Sequence, residues 1–299
     1  ISGLVKILYS LRKHYVDKRG ETMTIEEVKD YINSSTEYDF LRDYPHKIAF
    51  LTLGGSYAYG TNTEDSDIDL RGVFLSDKRE ILLNNNQNNL EKTDDHKDID
   101  TVLHSHIKMI NMLAKGNPTF LELLYFAPDR YLYVSDIGME LIKNRDMFLS
   151  KRVYHAYKGY ICDCLTRTSF KYYKNKDSEK EKQKAERYAN KSMMHAVRLL
   201  LQGIELLHNG TMLGSMDDIG KDLVKIKEGY NSTHKTYRFG KHNEHTEYFP
   251  NQSYDVFIEG LLYQFDYDYM NTDLPDEPDW DRINNFLMTT NERIVRGMV

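Results

Sequence analysis

Leu53-Gly54-Gly55-Ser56-Tyr57-Ala58-Tyr59-Gly60-Thr61-Asn62-Thr63-Glu64-Asp65-Ser66-Asp67-Ile68-Asp69-Leu70-Arg71-Gly72-Val73-Phe74 carries the densest structural signal in the chain. It follows directly on Ile48-Ala49-Phe50-Leu51-Thr52, and the short apolar run ends at Gly54-Gly55, as a buried strand does. Gly54-Gly55-Ser56 then turns the chain into a short helical segment. Glycines let a backbone approach a phosphate closely, and exposed N–H groups with the Ser56 hydroxyl can donate to its oxygens. By itself such a triplet is an ordinary turn. Asp67-Ile68-Asp69 opens a second strand, expected from Asp67 to Leu75. Residues two apart on a strand share a face, so both carboxylates are expected on one side, with Ile68 and Leu70 toward the core. Carboxylates this close repel unless a cation neutralises them, and hard oxygen ligands suit Mg²⁺ or Mn²⁺. An isolated Asp-x-Asp is usually an exposed strand end; a phosphate-type turn twelve residues upstream strengthens the joint signal.

Outward from this stretch, residues 1–45 read as a helical segment, with Thr24-Ile25-Glu26-Glu27 as a capping box. Leu83 to Lys97 contains Asn-Asn-Asn-Gln-Asn-Asn and mixed charges, which predicts a mobile surface loop. A third strand is expected from Ile99 to Leu103. A helix from His106 to Lys115 should stop at Gly116-Asn117-Pro118, with Pro118 in the first turn of the next one. A periodic helix from Glu181 to His208 ends at Asn209-Gly210, a C-cap signal.

With 299 residues, 40% hydrophobic and 12% aromatic, the chain has enough apolar material for one large or two medium cores, which excludes disordered and fibrous classes. No run of about 18 apolar residues marks a membrane span. Ile1 to Arg19 lacks the apolar run and small-residue cleavage site of a signal peptide. Cys162 and Cys164 are too few for a disulfide framework, so a reduced, cytoplasmic protein is expected and the Asn209 and Asn231 sequons carry no meaning. The net charge of −6 argues weakly against coating nucleic acid through charge alone. That charge is uneven. Lys151 to Lys191 holds 12 Lys/Arg against 5 Asp/Glu, a surplus of +7, whereas Lys241 to Val299 holds 4 against 12, or −8. Any RNA is thus expected to bind locally, near the basic middle.

Gly55-Ser56 followed by Asp67-x-Asp69 resembles the polymerase β-like nucleotidyltransferase superfamily. The longer string Gly-Ser-Tyr-Ala-Tyr-Gly-Thr…Ser-Asp-Ile-Asp-Leu-Arg-Gly-Val is similar to its RNA-repair-associated, RlaP-like branch. So are Asp100-Thr101-Val102-Leu103-His104-Ser105, the helix carrying Lys108, Lys115-Gly116-Asn117-Pro118, Leu121-Glu122-Leu123-Leu124 and Met194-His195-Ala196-Val197-Arg198-Leu199-Leu200. The resemblance covers roughly residues 46 to 230 and departs at Met109-Ile110 and in the Asn-rich loop. It implies an α/β (α+β) fold: a small mixed sheet flanked by helices at 46–150, then an α-helical domain with an acidic tail at 151–299. It further implies that Asp67 and Asp69 ligate the metals, that Asp100 is the third carboxylate, and that Gly55 and Ser56 hold the nucleotide's phosphates. Asp98 shares the strand face of Asp100, and spacing alone does not separate the two; the position relative to Ser105 and Lys108 favours Asp100.

On the later helix, Lys191, His195, Arg198, Gln202 and Glu205 project into one stripe, opposite Met193, Val197, Leu200, Ile204 and Leu207. A polar stripe is ordinarily a solvated face; the resemblance assigns Lys191, His195 and Arg198 to nucleotide binding. Arg71 is expected either to neutralise phosphate or to pair with Asp67 or Asp69. His104-x-His106 and His242-x-x-His245 lack a third ligand and read as ordinary histidines. Tyr57 and Tyr59 either stack on a base or pack beneath the turn, and Trp280 anchors the last helix. The implied activity is Mg²⁺-dependent transfer of a nucleoside monophosphate from an NTP to an acceptor hydroxyl, with an RNA end as acceptor and no membrane partner. The alternatives are nucleotidylation of a small molecule or protein side chain, and a non-catalytic, antitoxin-like binding module.

Overall fold

The computed structural model describes residues 23–63, 66–85, 89–94, 99–168, 178–212, 217–229 and 254–299. Among the described residues there are five strands: β1 (Ile48–Leu53), β2 (Ile68–Phe74), β3 (Asn89–Asp94), β4 (Ile99–Ser105) and β5 (Tyr131–Val134). They form one mixed sheet in the order β3-β4-β2-β1-β5. β1 runs antiparallel to both β2 and β5, β2 is parallel to β4, and β3 is antiparallel to β4. The expected mobile loop therefore contains a strand: β3 pairs along its length with β4, Asn89 opposite His104 and Asp94 opposite Ile99. β5, too, was not anticipated from the sequence.

The helices are α1 (Ile25–Ser34), α2 (Asp39–Arg42), α3 (Gly55–Tyr59), α4 (Lys78–Leu82), α5 (His106–Ala114), α6 (Pro118–Leu121), α7 (Asp136–Lys143), α8 (Arg152–Thr168), α9 (Glu179–Asn209), α10 (Asp217–Lys227), α11 (Tyr254–Asn271) and α12 (Trp280–Val295). Their ends follow local chemistry. Thr24 and Glu27 close the capping box that starts α1, and Asn117 caps α6, which has Pro118 in its first turn. Gly210 ends α9 at φ +62°, in the left-handed region that glycine enters without a Cβ penalty.

Described by chain contacts, one unit comprises Arg19–Arg152 with Pro275–Val299, and a second comprises Val153–Met212 with Asp217–Leu274. The last helix, expected with the helical domain, thus groups with the sheet. Arg293 pairs with Glu140 at 2.9 Å, Arg282 with Asp146 at 2.6 Å, and Asn291 meets His106 Nε2 at 2.8 Å. In the sheet unit, Leu51, Leu53, Ile68, Leu70, Phe74 and Leu103 pack with Val28, Ile32 and Tyr38 into one buried cluster. Burying side chains of this size contributes about 1.5–3 kcal/mol each. Their removal from water holds β1, β2 and β4 in fixed register beneath the site. Among the described residues no helix is long and apolar enough to cross a membrane.

Candidate functional site

The Gly-Gly turn and the acidic strand are built against each other. Gly54 N–H donates to the Asp69 carbonyl at 2.8 Å, pinning the start of the turn to the middle of the site. Gly55 has φ +51°, and a Cβ there would lie 1.6 Å from Asp69 Oδ2. A Cβ on Gly54 would lie 2.8 Å from Arg71 Cγ. The two glycines are therefore the space into which β2's polar side chains lean. Behind them α3 is anchored by burial: Tyr57 is 3% and Tyr59 8% exposed, and Tyr59 Oη donates to Glu122 Oε1 at 2.6 Å. Both tyrosines pack beneath the turn and neither offers a stacking surface.

The parallel register of β2 and β4 sets Asp69 directly opposite Asp100. Residues in register on adjacent strands project to the same face, so the two carboxylates meet. Arg71, two residues on, lies between them: Nη2 is 2.9 Å from Asp100 Oδ2 and 3.3 Å from Asp69 Oδ1. Its Nη1 donates to the Leu70 carbonyl at 2.8 Å and the Asp100 carbonyl at 2.9 Å. Arg71 is thus a partner of Asp69, as one sequence expectation had it, and of Asp100 as well. Burial pushes the Asp69 carboxyl up to about 6, helped by its hydrogen bond with Asp100 and by the charges of Asp100 and Asp67, against the pull of Arg71. Burial also works upward on Asp100, but hydrogen bonds from Arg71 and Asp69 outweigh it and hold that carboxyl below its ordinary range. On acidification Asp69 therefore takes up a proton before Asp100 does.

Asp67 stands just before β2 and is exposed, close enough for its charge to act on Asp69. Asp98 lies outside the described residues. Among the described residues no three His, Cys, Asp or Glu side chains are gathered into a ready metal cage. The donor chemistry fits a hard divalent cation nevertheless: two half-buried carboxylates face each other, one of them resisting ionisation, and a positive group already bridges them.

In the second unit, Lys191, His195 and Arg198 share one face of α9, but that face is not simply solvated. Lys191 is exposed, His195 half-buried, Arg198 6% and Gln202 2% exposed. Arg198 Nη1 donates to Gln202 Oε1 at 3.0 Å. Burial pushes His195 down to about 3, assisted by the charges of Arg198, Lys191, Lys227 and Arg167. The imidazole is neutral at physiological pH, so the expected row of three basic groups is two cations and a neutral hydrogen-bonding ring. Arg167 of α8, paired to Asp163 at 2.5 Å, and Lys227 of α10 escaped the sequence reading because they reach this face from other helices.

The remaining histidines are as expected where they are described. His104 is buried with its ring centre 4.6 Å from that of Phe120, the planes tilted by 38°, and His106 Nδ1 accepts from Ser76 N–H at 3.2 Å. His242 and His245 lie outside the described residues. Trp280 opens α12, with Arg152 5.8 Å from its ring centre.

A solved nucleotidyltransferase-like protein from Exiguobacterium sibiricum 255-15 is 11% identical and aligns over 90% of this chain and 91% of its own, at a TM-score of 0.29. An uncharacterized 38.9 kDa protein of Enterobacteria phage T4, from the nrdC–mobD intergenic region, is 29% identical over 116 residues, 36% of this chain. That match spans about a third (34%) of the phage protein's length. Residues 29–289 match the RNA repair pathway DNA polymerase beta family, RlaP. A match over this much of a 299-residue chain settles the kinship: the protein belongs to the RNA repair pathway DNA polymerase beta family.

Proposed function

We propose that the chain is a divalent-cation-dependent nucleotidyltransferase that moves a nucleoside monophosphate from an NTP to a hydroxyl at an RNA end. The observation that carries this reading is the Asp69–Asp100 pair, set face to face by the β2–β4 register and backed by the Gly54-Gly55 turn. The acceptor oxygen forms a bond to the α-phosphorus, the α–β bridging P–O bond breaks, pyrophosphate leaves, and the hydroxyl proton passes to solvent. Asp67, Asp69 and Asp100 would hold Mg²⁺ or Mn²⁺, which would supply neutralisation of phosphate charge and a lowered pKa for the attacking hydroxyl.

The protein's own groups do the positioning. Gly55 and Ser56 take phosphate oxygens at the turn, where the missing Cβ leaves room, and Arg71 donates to them as a planar fork. On the helical unit taken by itself, Lys191 and Arg198 offer positive charge to a phosphate-bearing ligand, beside a His195 ring that burial keeps neutral. RNA is favoured as acceptor by the family's own description and by the basic Lys151–Lys191 stretch. A reducing, cytoplasmic setting agrees with the two free cysteines.

The test is incubation with each α-labelled NTP, Mg²⁺, and separate RNA, DNA and metabolite acceptors. Label on RNA that vanishes in Asp69→Asn supports the reading. Label only on DNA or a metabolite overturns the acceptor, and no label anywhere, with NTP binding unchanged in Asp69→Asn, overturns the catalytic assignment.

A further inference from the structure

Arg71 is held more tightly than a phosphate-seeking side chain in waiting needs to be. Its guanidinium makes two contacts to the carboxylates of Asp69 and Asp100 and two to the backbone carbonyls of Leu70 and Asp100. The missing Cβ of Gly54, 2.8 Å from Arg71 Cγ were it present, gives the stem this path. The guanidinium bridges one oxygen of each carboxylate, Asp69 Oδ1 and Asp100 Oδ2. A divalent cation must approach such oxygens to roughly 2.0–2.2 Å with near-octahedral geometry, so it competes with the guanidinium for the same lone pairs. Asp67 lies outside the bridge and remains exposed.

On the nucleotidyltransferase reading above, we propose that Arg71 is the resident counter-cation of the Asp69–Asp100 pair, which gives way to the divalent cation and transfers to the nucleotide's phosphates. Cation and nucleotide binding are then coupled through one side chain. Without an anion to receive it, the displaced guanidinium loses four hydrogen bonds, so the cation alone binds poorly. With a polyphosphate present it exchanges one set of charge-assisted bonds for another. Linkage makes the effect reciprocal: whatever the phosphate does for the cation, the cation does for the phosphate.

The experiment measures Mn²⁺ binding to the full chain without nucleotide, by the electron paramagnetic resonance signal of free Mn²⁺, in wild type, Arg71→Gln, Arg71→Lys and Asp69→Asn. Arg71→Gln is expected to bind Mn²⁺ about tenfold more tightly than wild type, and to lose about fivefold in affinity for inorganic tripolyphosphate with Mn²⁺ saturating. Arg71→Lys, a point charge unable to bridge both carboxylates, falls between. Equal or weaker Mn²⁺ binding by both Arg71 variants overturns the exchange. If that happens while Asp69→Asn abolishes binding, the exchange alone fails. If Asp69→Asn binds Mn²⁺ like wild type, the metal reading beneath it fails. A variant-free measurement backs these in case substitution disturbs folding. Arginine side-chain ¹⁵N spectra of the wild type should show one guanidinium with restricted rotation that Mg²⁺ plus tripolyphosphate shifts; a signal unmoved at saturation overturns the proposal.

Discussion

Replacing Gly55 with alanine tests whether the turn and the carboxylates form one device. Two costs arise. Gly55 sits at φ +51°, where an L-residue is disfavoured by about 1–2 kcal/mol. The added Cβ would also stand 1.6 Å from Asp69 Oδ2, and contacts below 3.0 Å are essentially never seen, so the carboxylate must retreat by the difference, 1.4 Å or more. A displacement near 1 Å at a reacting centre costs on the order of 10²-fold in rate. The expected result is therefore a fall of about 10²-fold in kcat/KM for label transfer, with a loss of about 1–2 kcal/mol in stability from the backbone term alone. A double-mutant cycle isolates the route: in an Asp69→Ala background the clash partner is gone, so Gly55→Ala should cost less stability there than in wild type. Gly54→Ala has no left-handed backbone to strain, at φ −117°, but its Cβ would stand 2.8 Å from Cγ of an arginine held by four hydrogen bonds, so it should shift Arg71 and lower activity as well. Activity within about threefold of wild type, or identical stability costs in both backgrounds, refutes the argued dependence of Asp69 on the glycine.

Acid should destabilise the helical unit through His195. Its folded value of about 3 lies below the ordinary 6.5, so the unfolded chain binds the extra proton first, and stability falls as pH drops through the window between them. At pH 5 the loss is about 2 kcal/mol from this group, and His195→Gln should remove about that much of the fall in unfolding free energy between pH 7 and pH 5. Tyr59→Phe removes the 2.6 Å bond to Glu122, which is 5% exposed. Removing one donor from that buried acid should cost about 1–3 kcal/mol in urea unfolding, with α3 and its turn loosened.

The centre of the fold was readable because local and tertiary signals coincide there. The apolar run Ile48–Leu53, the glycines after it and the Asp67-Ile68-Asp69 alternation each fix backbone and face without reference to anything distant. β3 was not readable, since its asparagine-rich neighbourhood carries turn composition and the strand exists through backbone pairing with β4. β5 has four residues, too few for a period to show. Periodicity gathers Lys191, His195 and Arg198 on one face of α9 but does not reveal which helices pack against it; α10 and α11 both contact α9, and the polar side chains of Arg198 and Gln202 are buried. Likewise the adjacency of Asp69 and Asp100 follows from strand register, not from their separation along the chain, and Arg71's double bridge could be seen only after that register was in place.

The most direct test of the account is pyrophosphate release by the full chain with NTP, Mg²⁺ and an RNA acceptor, compared between wild type, Asp100→Asn and wild type in excess EDTA. The carboxylate pair predicts a fall of about 10³-fold or more in Asp100→Asn, a comparable loss in EDTA, and far-UV circular dichroism unchanged by the substitution. A rate in Asp100→Asn equal to that of wild type would contradict it.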